Sequence, residues 1–270
     1  MSALGPSLKH PLIASVACCV DPDMTDRALT ILRLLAPKQP VEGEKIRVGR
    51  NNDGGYVMID RNLNKVPAYS LGIEQDVSWD KDMAQRGCTL FQYDGTIDGL
   101  PESHPAFHFE AVNIVGTDST RENEKTLSAL LKKNKHLASE DLVLKIDIED
   151  SEWDVFDNLS EEDLVRFSQI VVEYHNLTET TDPLRFLKTE RCLKKMNKSH
   201  QVVHIHANNY GSVGYLGGVF LPDVLELTYL RKKGNSFERC LDVFPLAIDQ
   251  PNRPDAPDIF LGALGLLGEG

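Results

Sequence analysis

Acidic and imidazole side chains gather at the polar ends of the chain's apolar runs. Asp147 and Glu149 close the run that starts at Asp141, Glu173 and His175 close the one that starts at Gln169, and His204 and His206 alternate along the run from Gln201. Such groups can take a proton from a reacting atom or hold a divalent cation. His175 is the residue expected to act as a base, since an unperturbed imidazole titrates near neutrality. The plainer reading of the same residue is a hydrogen-bonded histidine past a strand end. Asp147 and Glu173 are its expected catalytic companions. They could instead hold a divalent metal, although neighbouring strand-end carboxylates more often bind hydrogen-bond donors or the ligand itself. His204 and His206, two apart on a strand, share a face, where satisfied buried histidines are the plainer account.

A second group of chemical interest is the turn around Gly72. Ala68 to Leu71 reads as a short buried strand, one glycine follows, and a helix opens near Ser78. A strand that turns directly into a helix opens a ligand crevice in an open α/β sheet. About twenty residues on, a second strand ends at Asp94, where such sheets place the carboxylate that takes a ribose diol. The turn lacks the further glycines that let backbone approach a pyrophosphate. It carries Glu74 and Asp76 instead, which would repel phosphate and suit an ammonium and a sulfonium. S-adenosyl-L-methionine is therefore the favoured ligand over a dinucleotide. Its expected contacts are Gly72, Glu74, Asp76, Asp94, Gly95, Thr96 and Asp147. Gly55 joins them if the Asn51 to Gly55 turn reaches the ligand edge of the sheet; otherwise that turn is a tight structural hairpin between Ile46–Gly49 and Tyr56–Ile59.

The elements that must position these groups follow a regular rhythm. A helix is expected over Met24 to Leu35, capped by Asp23 or Thr25 and stopped by Pro37. Strands follow at Val66–Gly72, Thr89–Asp94, Phe107–Asn113, Asp141–Glu149, Gln169–His175 and Gln201–His206. Helices are read between them at Ser78–Arg86, Glu122–Asn134, from Ser151 or Asp150 as cap, and at Pro183–Met196. Alternation of this kind predicts a mostly parallel sheet with helices on both faces. From His206 to Asp223 no helical pattern appears, only a glycine-rich loop before the strand Val224–Leu230. Without a crossover helix that last strand must run antiparallel. Residues 1–44 are expected as an N-terminal helical and extended segment, 45–255 as the domain, and 256–270 as a tail; all of Phe244 to Gly270 reads as extended.

At 270 residues, 41% of them hydrophobic and 26% charged, the chain can bury a sizeable core. A formal net charge of -12 with only short basic clusters argues against a nucleic-acid or anionic-membrane partner. Five cysteines without a CxxC pair fit a reduced, cytoplasmic protein. The apolar run Pro11 to Val20 is too short to span a bilayer, and a signal segment within residues 1–20 is the alternative to cytoplasmic location.

With these residues placed, the chain resembles the FkbM-like methyltransferases, and among them the methyltransferase-like proteins of the twenty-four type. The resemblance rests on the order of Asp53-Gly54-Gly55-Tyr56-Val57, Tyr69-Ser70-Leu71-Gly72-Ile73 with Trp79-Asp80, Phe91-Gln92-Tyr93-Asp94, Phe107-His108-Phe109 and Leu144-Lys145-Ile146-Asp147-Ile148-Glu149 with Glu152-Trp153. His206-Ala207-Asn208-Asn209, Leu225-Glu226-Leu227-Thr228-Tyr229 and Asp249-Gln250-Pro251-Asn252 extend it. It implies the class I methyltransferase Rossmann-like fold and S-adenosyl-L-methionine as donor, with Gly72 under the methionine part, Asp94 on the ribose and Asp147 beside the methyl group. The acceptor it suggests is a small-molecule or sugar hydroxyl. Asp150 departs from the family, which often has glycine there; the expected effect is on the acceptor side of the pocket. Two competing readings are a metal-dependent glycosyltransferase using Asp147-Ile148-Glu149 and a non-catalytic binding protein that keeps the fold.

Overall fold

The computed structural model describes residues 21–268; the run Pro11–Val20 with Cys18 and Cys19 lies outside the described residues. In chain order the elements are α1 (Pro22–Leu34), β1 (Lys38–Pro40), β2 (Lys45–Val48), β3 (Tyr56–Ile59), β4 (Pro67–Leu71), α2 (Ser78–Gln85), β5 (Thr89–Tyr93), β6 (Phe107–Glu110), β7 (Asn113–Ile114) and β8 (Glu124–Lys125). They continue with α3 (Leu127–Lys133), β9 (Leu142–Ile146), α4 (Glu152–Asn158), α5 (Glu161–Leu164), β10 (Phe167–Tyr174), α6 (Pro183–Ser199), β11 (His200–Ala207), β12 (Val213–Leu216), β13 (Val219–Pro222), β14 (Leu225–Arg231) and β15 (Phe237–Arg239).

The central sheet has the order β11-β14-β10-β9-β4-β5-β6. β4, β5, β6, β9 and β10 are mutually parallel, and β14 runs antiparallel to both β10 and β11. This is the class I methyltransferase sheet, mostly parallel with an antiparallel last strand. That strand does not sit at the edge. It slots between β10 and β11, because a chain returning from β11 without a crossover helix can pair beside it only in the antiparallel sense.

The strands are apolar on both faces because both faces are covered. Leu142, Leu144 and Ile146 of β9 pack into one core with Ile31 of α1, Leu130 of α3, Trp153 and Phe156 of α4 and Leu193 of α6. Val143, from the same strand, joins Ala68, Leu90 and Val171 in a second core under Trp79 and Met83 of α2. Val48 and Met58 of the β2–β3 hairpin complete that core. Helices thus lie on both faces, but the second face carries one helix and a hairpin.

Several local expectations are corrected. The cap of α1 is Asp21, whose Oδ1 accepts the Asp23 amide at 2.9 Å, with Pro22 at the first helical position. α3 begins at Leu127 rather than Glu122, because Glu124–Lys125 pairs with Asn113–Ile114 and Thr126 takes the cap. Between β2 and β3 the connection is not tight; Gly49 to Gly55 form a seven-residue loop held by Arg47, which donates to the Arg50 and Asn52 carbonyls at 2.9 and 2.6 Å. The glycine-rich loop contains the hairpin β12–β13. Its two-residue turn is Gly217-Gly218, both with positive φ, as such a turn requires. The segment after Phe244 is irregular yet packed, with Phe244, Asp249 and Asn252 buried. No helix among the described residues is long and apolar enough to cross a membrane.

Candidate functional site

A cleft of about 740 Å³ opens at the carboxyl ends of β4, β5, β9 and β10. Gly72 ends β4 with φ +79°, and a Cβ there would lie 1.6 Å from the Asp147 carbonyl oxygen. Only glycine lets the ends of β4 and β9 approach this closely. Lys145, buried in an otherwise apolar strand, reaches across and donates to the Gly72 carbonyl at 2.6 Å.

Asp94 organises the turn. Its Oδ2 accepts the Ile73 and Glu74 amides at 2.8 and 2.9 Å, and its Oδ1 accepts the Thr96 amide and hydroxyl at 2.8 and 2.6 Å. Burial alone would raise its pKa, but these donors hold the carboxyl below its ordinary range. Gly95 leaves no room for a Cβ, which would meet the Asn113 side chain at 2.2 Å. Glu74 sits at φ +47° with its carboxyl raised, first by burial and then by the charges of Glu149, Asp147 and Asp94. Asp76 accepts the Ser78 amide at 2.9 Å, opening α2, and faces Arg50 at 3.3 Å. Gly72, Glu74, Asp76, Asp94, Gly95, Thr96, Asp147, Glu173 and His175 all line the cleft. Gly55 does not; its neighbour Gly54 does, and a Cβ on Gly55 would strike the Arg50 carbonyl at 2.0 Å.

At the ends of β9 and β10 four carboxylates face one imidazole. His175 Nε2 lies 3.4 Å from Glu173, 3.5 Å from Glu149 and 3.9 Å from Asp147, while its Nδ1 lies 3.3 Å from Glu152. Burial would lower the pKa of His175; the contacts and charges of Glu152 and Glu173 overcome it and hold the imidazole well above its ordinary value. The ring thus departs from the ordinary imidazole value on which its expected role as a base rests. Glu173, 4% exposed, is pushed up toward neutrality by burial and by the charge of Asp147. Asn208 donates to its Oε1 at 2.8 Å.

Glu152 stands in the sequence only as part of a matching segment, with no role assigned. Its fully buried carboxylate accepts the Ile148 amide at 2.6 Å, while Ser151, at the N-cap position, makes no side-chain cap bond. Tyr56 is likewise placed without a role, and its hydroxyl donates to Asp147 Oδ2 at 3.0 Å. Asp150 does not line the cleft and pairs with Arg185. It sits at φ +82°, a conformation that favours glycine.

His204 and His206 do not reach the cleft. His204 meets Asp249 at 2.8 Å, and burial lowers its pKa. His206 bridges Glu226 and Asp258, each at 3.0 Å. Against burial, those two carboxylates push it up to about 10. Asn252 ties the same layer to the hairpin loop, donating to Glu226 at 2.5 Å and Asp53 at 3.2 Å.

Residues 45–206 match the family described as the methyltransferase FkbM domain. A probable methyltransferase-like protein 24 from Homo sapiens is 28% identical over 118 residues, which is 40% of this chain and 32% of that protein. The aligned stretch therefore spans about a third of the human protein. Among solved structures, the N-methyltransferase NodS from Bradyrhizobium japonicum WM9 is 10% identical with a TM-score of 0.30, over 78% of this chain and 97% of that one. The Methanococcus jannaschii fibrillarin pre-rRNA processing protein is 9% identical with a TM-score of 0.32, over 71% and 84%. The fold assignment rests on strand order and the family match rather than on these superpositions.

Proposed function

The chain belongs to the methyltransferase FkbM domain family, and we propose that it transfers a methyl group from S-adenosyl-L-methionine to a hydroxyl of a small molecule or sugar. The observation that carries this reading is the cleft itself, whose floor is the Gly72 turn and whose walls are carboxylates. Its volume, about 740 Å³, falls within the several-hundred-Å³ range of small-molecule sites. When bound, the donor supplies an electrophilic methyl carbon whose bond to sulfur breaks, with the electron pair kept by sulfur, as the bond to the acceptor oxygen forms.

The chain has four tasks in that reaction. Gly72, Gly95 and the backbone held by Asp94 give the donor a turn without side chains in its way. Glu74 and Asp76 offset the donor's two positive charges. Glu173, buried at the end of β10 with its Oε1 3.4 Å from His175 Nε2, receives the acceptor's proton. Asp147, at the end of β9, orients the acceptor beside it.

The test is a thermal-shift comparison of S-adenosylmethionine, S-adenosylhomocysteine, NAD and a nucleotide sugar with manganese, followed by methyl-labelled donor and a panel of hydroxyl acceptors. A ligand at a hundred times its dissociation constant stabilises by about 2.7 kcal/mol. Stabilisation by the adenosyl ligands alone, then label transfer, is the expected result. Stabilisation by the nucleotide sugar alone refutes it, and donor binding without transfer to any acceptor makes the protein a binding module.

A further inference from the structure

We infer that Asp147 Oδ1, Glu149 Oε2 and His175 Nε2 form a site for one divalent cation, of the manganese or magnesium class, at the acceptor end of the cleft. This rests on the methyltransferase reading for its role and on geometry for its existence. The three ligand atoms lie within 4.8 Å of one another. Three hard or borderline donors at that spacing, two of them anionic oxygens, suit a six-coordinate cation that keeps open positions for water or an acceptor hydroxyl.

A cluster of acids alone would not establish a site, and a second observation does more. Asp147 has its outer oxygen tied and its inner one free, and His175 is buried with neither ring nitrogen hydrogen-bonded. Tyr56 donates to Asp147 Oδ2 at 3.0 Å, leaving Oδ1 turned toward His175. The imidazole makes no ring hydrogen bond: Glu152 faces Nδ1 at 3.3 Å from a fully buried position, and Nε2 is turned toward Asp147, Glu149 and Glu173. A carboxylate behind the far nitrogen is the arrangement that orients metal-binding histidines.

The spacings point the same way. His175 is 92% buried, its residue exposure being 8%, yet its Nε2 contacts of 3.4, 3.5 and 3.9 Å are all longer than an ordinary N–H to oxygen hydrogen bond. The ring is aimed into the cluster without a close partner there. The nearby cations are otherwise engaged: Lys145 donates to the Gly72 carbonyl, and Arg185 turns to Asp150 and the His175 carbonyl. In the reaction, the cation would hold the acceptor oxygen and ease loss of its proton to Glu173.

The experiment is titration of the full chain, stripped with chelator and free of donor, with Mn2+ alone, followed by electron paramagnetic resonance and calorimetry. One ion per chain is expected. Glu149→Gln, at a side chain 77% exposed and so safe for folding, should weaken binding at least ~10-fold by removing a direct ligand. Glu152→Gln should weaken it roughly 10-fold as a positioning change, and Asp255→Asn, exposed and outside the cleft, should leave it unchanged. Absence of stoichiometric Mn2+ binding in the wild type overturns the site, as does equal affinity in the wild type and Glu149→Gln. A parallel S-adenosylmethionine thermal shift in chelator separates the two readings. Donor binding without metal binding sinks this inference alone; metal binding without donor binding sinks the methyltransferase reading.

Discussion

Replacing Asp94 distinguishes a carboxylate that only touches ligand from one that builds the turn ligand would rest on. Its two oxygens accept four hydrogen bonds, from the Ile73, Glu74 and Thr96 amides and the Thr96 hydroxyl. Hydrogen bonds to a charged group contribute roughly 1.5–3 kcal/mol each, and an orphaned buried donor costs roughly 1–3 kcal/mol. Water entering from the cleft would satisfy part of what Asp94→Ala leaves open, so we expect a loss of about 2–4 kcal/mol rather than the sum. In a chain this size that lowers Tm by roughly 5–12 °C without any ligand present. Asp94→Asn keeps one oxygen but turns an amide donor against backbone donors, and should lose about half as much. A pH series adds an independent check. Because the folded carboxyl is held below 3.8, its contribution is present above that value and fades as pH falls through the folded pKa. The stability gap between wild type and Asp94→Asn should therefore be flat from pH 5 to 8 and narrow below about 4. Thermal and urea unfolding of the ligand-free proteins give the answer. Should Asp94→Ala unfold within about 1 °C of wild type while losing its response to adenosyl ligands, the carboxylate is a ligand contact and the turn stands without it.

Three further outcomes follow from the same geometry. Gly72→Ala, whose Cβ would meet the Asp147 carbonyl oxygen at 1.6 Å, should abolish the adenosyl thermal shift and destabilise by about 2 kcal/mol or more in denaturant unfolding. Asp150→Gly relieves a residue at φ +82° but removes the partner of Arg185, so its stability should stay within about 1 kcal/mol of wild type, with Asp150→Ala lower by a further ~1 kcal/mol and donor binding unchanged in both. For His206, whose pKa is raised to about 10, the contribution is complete below the ordinary imidazole value and lost as pH rises through the folded one; the gap between wild type and His206→Gln in urea unfolding should shrink between pH 7 and 10.

Apolar periodicity alone marked the strands, the turn at Gly72, the carboxylates at strand ends and the antiparallel last strand. Each of these is local: a short run rich in Val, Ile and Leu between turn residues favours a strand, and a missing crossover helix dictates strand direction by chain length. The Gly217-Gly218 turn was equally local and carried a hairpin signal, but the surrounding glycines masked it as a loop. What periodicity could not supply is which side chains meet across the sheet. Tyr56 lies 91 residues from the Asp147 it hydrogen-bonds, and Asn208 lies 35 from Glu173. Those meetings exist because strand order places β10 beside β9 and folds the hairpin over the second face. The consequence is chemical as well as geometric. His175 in the sequence is an imidazole with an ordinary pKa, and only the four carboxylates gathered from β9, α4 and β10 turn it into a cation or a ligand for one. Asp94 in turn has the type and position of a ribose contact, and only the fold reveals that its Oδ2 holds the Ile73 and Glu74 amides and its Oδ1 holds Thr96.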